Sequence, residues 1–178
     1  MMNPLEAIRK ARQDRKKILW EAGVREGMRV ADVGAGYGYF ALPAASMIGP
    51  QGELLAVEPD PKRAREIAER AKSERLQNVR VVQSKAEEMS QIATGTVDLA
   101  LVMSSFHHMA DRRAALKEIR RVLKPGGGLY VRELKAGKVF RHGSKKEEFQ
   151  SLVGEEFPGA RFDETRGFLF ASSKAGSS

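Results

Sequence analysis

Apolar and polar positions along this chain change period several times, and the changes mark its elements. Between Asn3 and Glu21, Leu5, Ile8, Leu19 and Ala22 fall near one helical face, while Arg9, Lys10, Arg12, Lys16 and Lys17 fall largely elsewhere. That spacing predicts an amphipathic helix ended by Gly23, either covering an edge of the core or overhanging a ligand pocket as a lid. Gly27-Met28 then leads into a short apolar strand ending near Val33. A helix follows to about Ile48 and is closed by Gly49-Pro50. Proline is comfortable only in a first helical turn, so Pro43 places the start of regular helix nearer Phe40 than Tyr37. Gly52 to Val57 reads as a second strand. Asp60-Pro61 combines an N-cap with proline at the first helical position, opening a helix to about Ser73 with Ala64, Ile67, Ala68 and Ala71 inward.

The second half repeats the rhythm and then breaks it. Val79 to Val82 is a third strand, and Ser84 to Met89 a loop or helical turn. Thr96 to Met103 is an almost unbroken apolar run, as expected of a parallel strand buried on both faces. Asp111 caps a helix with Leu116, Ile119, Val122 and Leu123 on one face, and Lys124-Pro125-Gly126-Gly127-Gly128 is expected to turn the chain into a strand at Leu129 to Glu133. Ser144 to Val153 reads as helix, then Ala160 to Thr165 and Gly167 to Ser173 as two strands around a tight turn at Arg166-Gly167. Strand and helix alternation with a final hairpin implies an α/β fold, a mostly parallel sheet with an antiparallel edge. Without a repeat or a dividing linker, one domain over residues 1–178 is expected, with the first helix at 1–22 and a frayed tail at 174–178.

Composition narrows the class only modestly. The 178 residues are 42% hydrophobic and 30% charged, an ordinary globular balance with no apolar run approaching a membrane span. Met1 to Lys17 is charged throughout and lacks the apolar centre of a signal peptide. With no cysteine, disulfides, thiolate metal sites and cysteine nucleophiles are excluded, and a cytoplasmic enzyme or binding protein is expected. The net charge of +8 admits a nucleic-acid partner, although the basic residues are interleaved with Glu rather than gathered in one block.

The chemistry concentrates in Val30-Ala31-Asp32-Val33-Gly34-Ala35-Gly36-Tyr37-Gly38-Tyr39-Phe40. A strand running into a glycine loop at a helix start exposes backbone N–H groups to a closely approaching ligand. The third glycine, Gly38, comes one residue too early for the dinucleotide pattern G-x-G-x-x-G, and Asp32 would set a carboxylate beside a pyrophosphate. An NAD-dependent oxidoreductase is therefore disfavoured. The stretch resembles motif I of the class I S-adenosylmethionine (SAM)-dependent methyltransferases. Leu55-Ala56-Val57-Glu58-Pro59-Asp60 resembles the family's segment after the second strand, and Leu116 to Val131 closely resembles its segment into the fifth.

The resemblance, strongest to small type 11-like methyltransferase domains, implies a Rossmann-like, doubly wound, mostly parallel seven-stranded sheet in the order 3-2-1-4-5-7-6. It implies SAM as cofactor and S-adenosylhomocysteine (SAH) as product, lying across the ends of strands 1, 2 and 4. Gly34, Ala35, Gly36 and Gly38 would pass close to the cofactor, Glu58 with Pro59 would meet its ribose, and Asp32 would meet its ammonium group or else tie down the glycine loop. Where many members carry Gly-Asp-Ala-Glu, this chain has Ser84-Lys85-Ala86-Glu87, and Lys85 cannot accept a hydrogen bond. Adenine is left to the Ala86 N–H, to Glu87 or to apolar packing. Substrate-side candidates follow strand 4, from Ser104, assigned also to the cofactor, through Ser105, Phe106, His107 and His108 to Met109. His107 and His108 are candidates for a general base, with loop packing as their other role, and no metal is expected. Lys135, Lys138, Arg141, Lys145 and Lys146 would suit an anionic acceptor at the entrance or form a solvated loop. A small-molecule acceptor is expected; an RNA or protein acceptor and a non-catalytic SAM-binding module remain open, and the oligomeric state is not legible.

Overall fold

The computed structural model describes residues 4–136, 142–165 and 167–174, and among them the elements follow in the order expected. Helix α1 (Pro4–Glu21) precedes strand β1 (Arg29–Val33), and α2 (Ala41–Ile48) leads to β2 (Glu53–Val57). Next come α3 (Pro61–Ser73), β3 (Val79–Val82), β4 (Val97–Met103) and α4 (Arg112–Val122). The chain ends with β5 (Leu123–Leu134), α5 (Lys146–Glu156), β6 (Arg161–Glu164) and β7 (Phe168–Lys174). Lys174, expected to open a frayed tail, instead ends β7 paired with Gly128, while Lys138, Arg141, Arg166 and residues 175–178 lie outside the described residues.

The seven strands form one sheet in the order β3-β2-β1-β4-β5-β7-β6, with β7 antiparallel to β5 and β6. Alternation along each strand sends successive side chains to opposite faces. Val30, Leu54, Leu99 and Leu101 meet Leu19 of α1, Leu42 of α2 and Ile67 of α3. Ala31, Leu55, Val102 and Val131 meet Leu116 and Ile119 of α4 and Phe149 of α5 on the other. Both faces being covered, β1, β2 and β4 are buried on either side, which is why they read as apolar runs. No helix among the described residues is long and apolar enough to cross a membrane.

Local signals are obeyed where the chain supplies its own partners. Asp60 accepts a hydrogen bond from the Arg63 N–H at 2.9 Å and Asp111 one from Ala114 at 2.9 Å, each capping its helix. Helix α2 begins at Ala41, so Pro43 falls in its first turn. Two expectations are corrected. The Lys124–Gly128 run does not turn into the sheet ahead of the strand. Instead Leu123 already pairs with Val97 and Gly128 with Leu99, so residues 124–127 loop out opposite Asp98. A side chain at Gly127 would meet Lys124 O at 2.9 Å and Val97 O at 3.0 Å, so the excursion closes only over glycine. Lys124 Nζ ties it to Asp98 Oδ1 at 2.6 Å. Helix α5 also starts later than Ser144, whose N–H is taken by Leu134 O at 2.9 Å.

Candidate functional site

The C-terminal ends of β1, β2 and β4 open onto a cavity of about 930 Å³, near the top of the range of about 300–1,000 Å³ for small-molecule sites. Its floor is the loop after β1. Gly34 and Ala35 both donate to Val57 O at 2.9 Å, locking the loop to β2. Gly34 has φ +78°, and a β-carbon there would stand 2.5 Å from Ser105 Cβ. Ser105 in turn donates from Oγ to Val33 O at 2.8 Å, so the loops after β1 and β4 are pressed together without a gap. Gly36, at φ +58°, has nothing within 4 Å of its hypothetical β-carbon. That position faces open space, and the backbone there is bare to a ligand. Gly38 does not line the cavity; it packs on Leu42 and Ile67.

Two carboxylates frame this loop, and their surroundings separate their roles. Glu58, at the end of β2, accepts from Gly36 N at 2.8 Å through Oε2 and from Asp60 N at 3.1 Å through Oε1. Arg63 Nη1 stands 3.6 Å from the same Oε1. Glu58 thus holds the loop's shape beneath the cavity, with Pro59 rather than Glu58 in the cavity wall. Asp32 is buried and lines the cavity, yet its Oδ1 has no hydrogen-bond partner among the described residues. Burial pushes its carboxyl up from 3.8 to about 7, against a backbone hydrogen bond from Ala41 and with help from the nearby Glu58 charge. A buried oxygen with an unused lone pair is costly unless a ligand or water completes it.

The far wall comes from the loops after β3 and β4. Lys85, Ala86 and Glu87 line the cavity, and Glu87 Oε1 also accepts from Asp111 N at 3.0 Å. Ser104, in left-handed backbone at φ +58°, lines it beside Met103 and Met109. The two histidines part company. His108 lines the cavity, whereas His107 does not and turns instead to Glu133 on β5, with Nδ1 2.5 Å from Oε1. Their rings still touch, with centroids 3.9 Å apart. Burial, together with the charges of His107, Arg63 and His142, holds the His108 imidazole below the ordinary histidine value. It therefore stands neutral at pH 7, able to accept a proton. Phe106 belongs to the core, packed edge-to-face on Phe149.

Glu133 was not legible as a partner, because it lies 26 residues from His107 and is brought there only by β4–β5 pairing. It is fully buried, which pushes its carboxyl up against the opposing pull of His107. Removing it leaves the imidazole and the Leu134 N–H, donated at 2.8 Å, without an acceptor. Glu133→Ala is expected to cost about 2 kcal/mol in urea unfolding, and Glu133→Gln, which keeps an acceptor oxygen, distinctly less. The sequence pattern also did not single out Arg15, Tyr37, Tyr39 or Arg63, which join the cavity lining. Lys135 and Lys146 are absent from it and pair with Glu164 at 3.0 and 3.4 Å.

Comparison with known proteins agrees with this geometry. Residues 30–127 match a family model described as a methyltransferase domain. The chain is 32% identical over 113 residues to the ubiquinone/menaquinone biosynthesis C-methyltransferase UbiE of Pasteurella multocida, covering 63% of this chain and 42% of the relative. It is 30% identical to a demethylmenaquinone methyltransferase of Staphylococcus aureus, covering 64% and 46%. It thus spans less than half the length of these curated relatives. Among solved structures, a SAM-dependent methyltransferase from Aquifex aeolicus superposes with a TM-score of 0.78 at 24% identity, over 91% of this chain and 89% of that one. The [4+2]-cyclase SpnF superposes at 0.79 with 17% identity, over 94% and 81%, so the fold alone does not dictate the reaction. Matched by its family model over the glycine loop, both framing carboxylates and the run into β5, the chain belongs to the class I SAM-dependent methyltransferases.

Proposed function

We propose that the chain binds SAM in the cavity above the β1 loop and transfers its methyl group to a small, largely flat acceptor. The observation that carries this reading is the buried, unpartnered Asp32 Oδ1 at one end of a cavity floored by bare glycine backbone. The ammonium of SAM would complete that oxygen, Gly34 and Gly36 would admit the methionine chain, and Pro59 with the Glu58-braced turn would meet the ribose. Adenine would pack along Ala86 and Glu87. When bound, SAM supplies a sulfonium whose methyl group is open to in-line attack. What this chain adds is placement: Ser104, His108 and Met109 bound the space from which an acceptor would approach, and holding two reactants in line replaces a bimolecular encounter. Neutral His108 would take the proton released by an acidic acceptor.

Phe40, Met103 and Met109 give the acceptor space apolar walls, and the curated relatives are named for quinone substrates. A reduced quinone or similar hydroxyaromatic ring is therefore the acceptor class proposed. Several cations across the surface are already spent on carboxylates, among them Arg112 on Glu148 at 2.6 Å and Arg121 on Glu118 at 2.7 Å. With the basic residues interleaved among carboxylates rather than gathered in one block, the apolar cavity lining of Phe40, Met103 and Met109 favours a small molecule over RNA.

Calorimetry with SAM, SAH and NAD tests the cofactor. Micromolar SAM and SAH binding, roughly −8 kcal/mol, is expected with none for NAD; tight NAD binding without SAM would overturn the reading. Glu58→Ala is expected to weaken SAH by about 30-fold, about 2 kcal/mol, because Gly36 and Asp60 lose their shared acceptor and the turn that would meet the ribose loses its brace. Incorporation of tritiated methyl into 1,4-naphthoquinol tests the acceptor class, and transfer confined to an RNA or protein fraction would refute it.

A further inference from the structure

Of the buried side-chain polar atoms without a hydrogen-bond partner among the described residues, two belong to residues that line the same cavity: Asp32 Oδ1 and Arg15 Nε. One is a carboxyl oxygen and the other a guanidinium N–H, and burial without a partner is costly for both. A ligand that satisfies both would offer a cation to Asp32 and an anion to Arg15. An α-amino-acid end carries both.

The placement of Arg15 follows from its helix. Leu19, four residues on, is fully buried against the α2 side of the sheet. Residues four apart share a helical face, so the anchor at Leu19 brings Arg15 over the start of α2. There its guanidinium stands 5.9 Å from the Tyr39 ring centroid, which orients the planar fork without consuming its hydrogen bonds. Asp14 also lines the cavity, but adjacent helical residues diverge and it is not an orienting partner of Arg15.

We propose that Arg15 is the carboxylate anchor for the amino-acid end of the cofactor, acting opposite Asp32, so that α1 is part of the binding site; this rests on the reading that SAM binds here. The test compares SAH with 5′-methylthioadenosine, which keeps the nucleoside and lacks the amino-acid end, by calorimetry on the full chain. Arg15→Met is expected to weaken SAH by about 10- to 30-fold and to leave 5′-methylthioadenosine unchanged, with Arg15→Lys recovering part of the loss. If the two ligands weaken together, Arg15 is only part of the cover, and the proposal fails. If SAH is unaffected while the wild type binds it, the proposal fails and the cofactor reading stands. If the wild type binds neither ligand, both fall.

Discussion

Asp32→Asn is expected to weaken SAH binding about 100-fold while making the ligand-free protein more stable at pH 8. Both effects have one origin. Asp32 is buried with an unpartnered Oδ1, and its carboxyl is pushed up to about 7 from 3.8. Its folded pKa lies above its unfolded one, so the folded state holds the proton longer. The stability associated with the neutral carboxyl is full below about pH 4 and is lost as pH rises to about 7, beyond which it stays lost. A shift of that size corresponds to on the order of 4 kcal/mol of destabilisation in the ionised, ligand-free protein. Asparagine removes the charge and with it that cost. The same substitution removes the anion that meets the ligand's ammonium, a charged hydrogen bond worth about 2–3 kcal/mol. SAH affinity of the wild type should therefore rise with pH, approaching tenfold per unit below about pH 7, and level off above it. Calorimetry across pH 5.5–8.5 with parallel urea titrations reads both quantities; a flat affinity profile would remove Asp32 from the ligand.

Gly34→Ala is expected to be the most damaging small substitution in the loop. The new methyl would lie 2.5 Å from Ser105 Cβ and 2.7 Å from its Oγ, at a φ of +78° that L-residues avoid. The left-handed conformation alone costs about 1–2 kcal/mol. Displacing Ser105, whose Oγ donates to Val33 O, brings the total to about 4 kcal/mol. The collision has an address, so it has a suppressor. In Gly34→Ala/Ser105→Gly the colliding atoms are gone and only the backbone strain and the lost hydrogen bond remain. The double variant should recover at least 1 kcal/mol over Gly34→Ala in chemical denaturation, a coupling that independent sites would not show. Gly36→Ala meets no atom within 4 Å and should cost only the strain of its φ of +58°.

These contrasts also show which parts of the molecule could be read from residue order. Asp60-Pro61 specifies the start of α3 because cap and capped N–H lie three residues apart. The apolar run of β4 and the alternation of strands and helices likewise depend on near neighbours and on burial that every strand of such a sheet experiences. Asp32 was visible because it sits at a strand end just before the glycine loop, and Glu58 because Leu55-Ala56-Val57-Glu58-Pro59-Asp60 resembles the family's segment after the second strand. The Lys124–Gly128 run was misread because local residue types say only that the backbone can turn. Where it turns depends on the β4–β5 register, which places Leu123 on Val97 and Gly128 on Leu99.

The division between His107 and His108 lies at the same boundary. Two identical neighbours cannot be told apart by type or spacing. A short turn at Phe106–His108 aims one ring at Glu133 and the other into the cavity, and Glu133 reaches His107 only through strand pairing. Arg15 likewise gains meaning only when Leu19 seats α1 beside α2 and the start of α2 carries Tyr39 beneath it. By itself the sequence determined the elements, the parallel sheet and the glycine loop with Asp32 before it, since those follow from periodicity, capping and backbone freedom over short distances, while Glu58 and the strand order came with the family resemblance. Tertiary structure alone decided which carboxylate is spent on the loop and which stays open, which histidine lines the cavity, and that Arg15 of α1 joins its lining. Each of those outcomes turns on whether a polar atom finds a partner far along the chain, and only the folded packing supplies or withholds it.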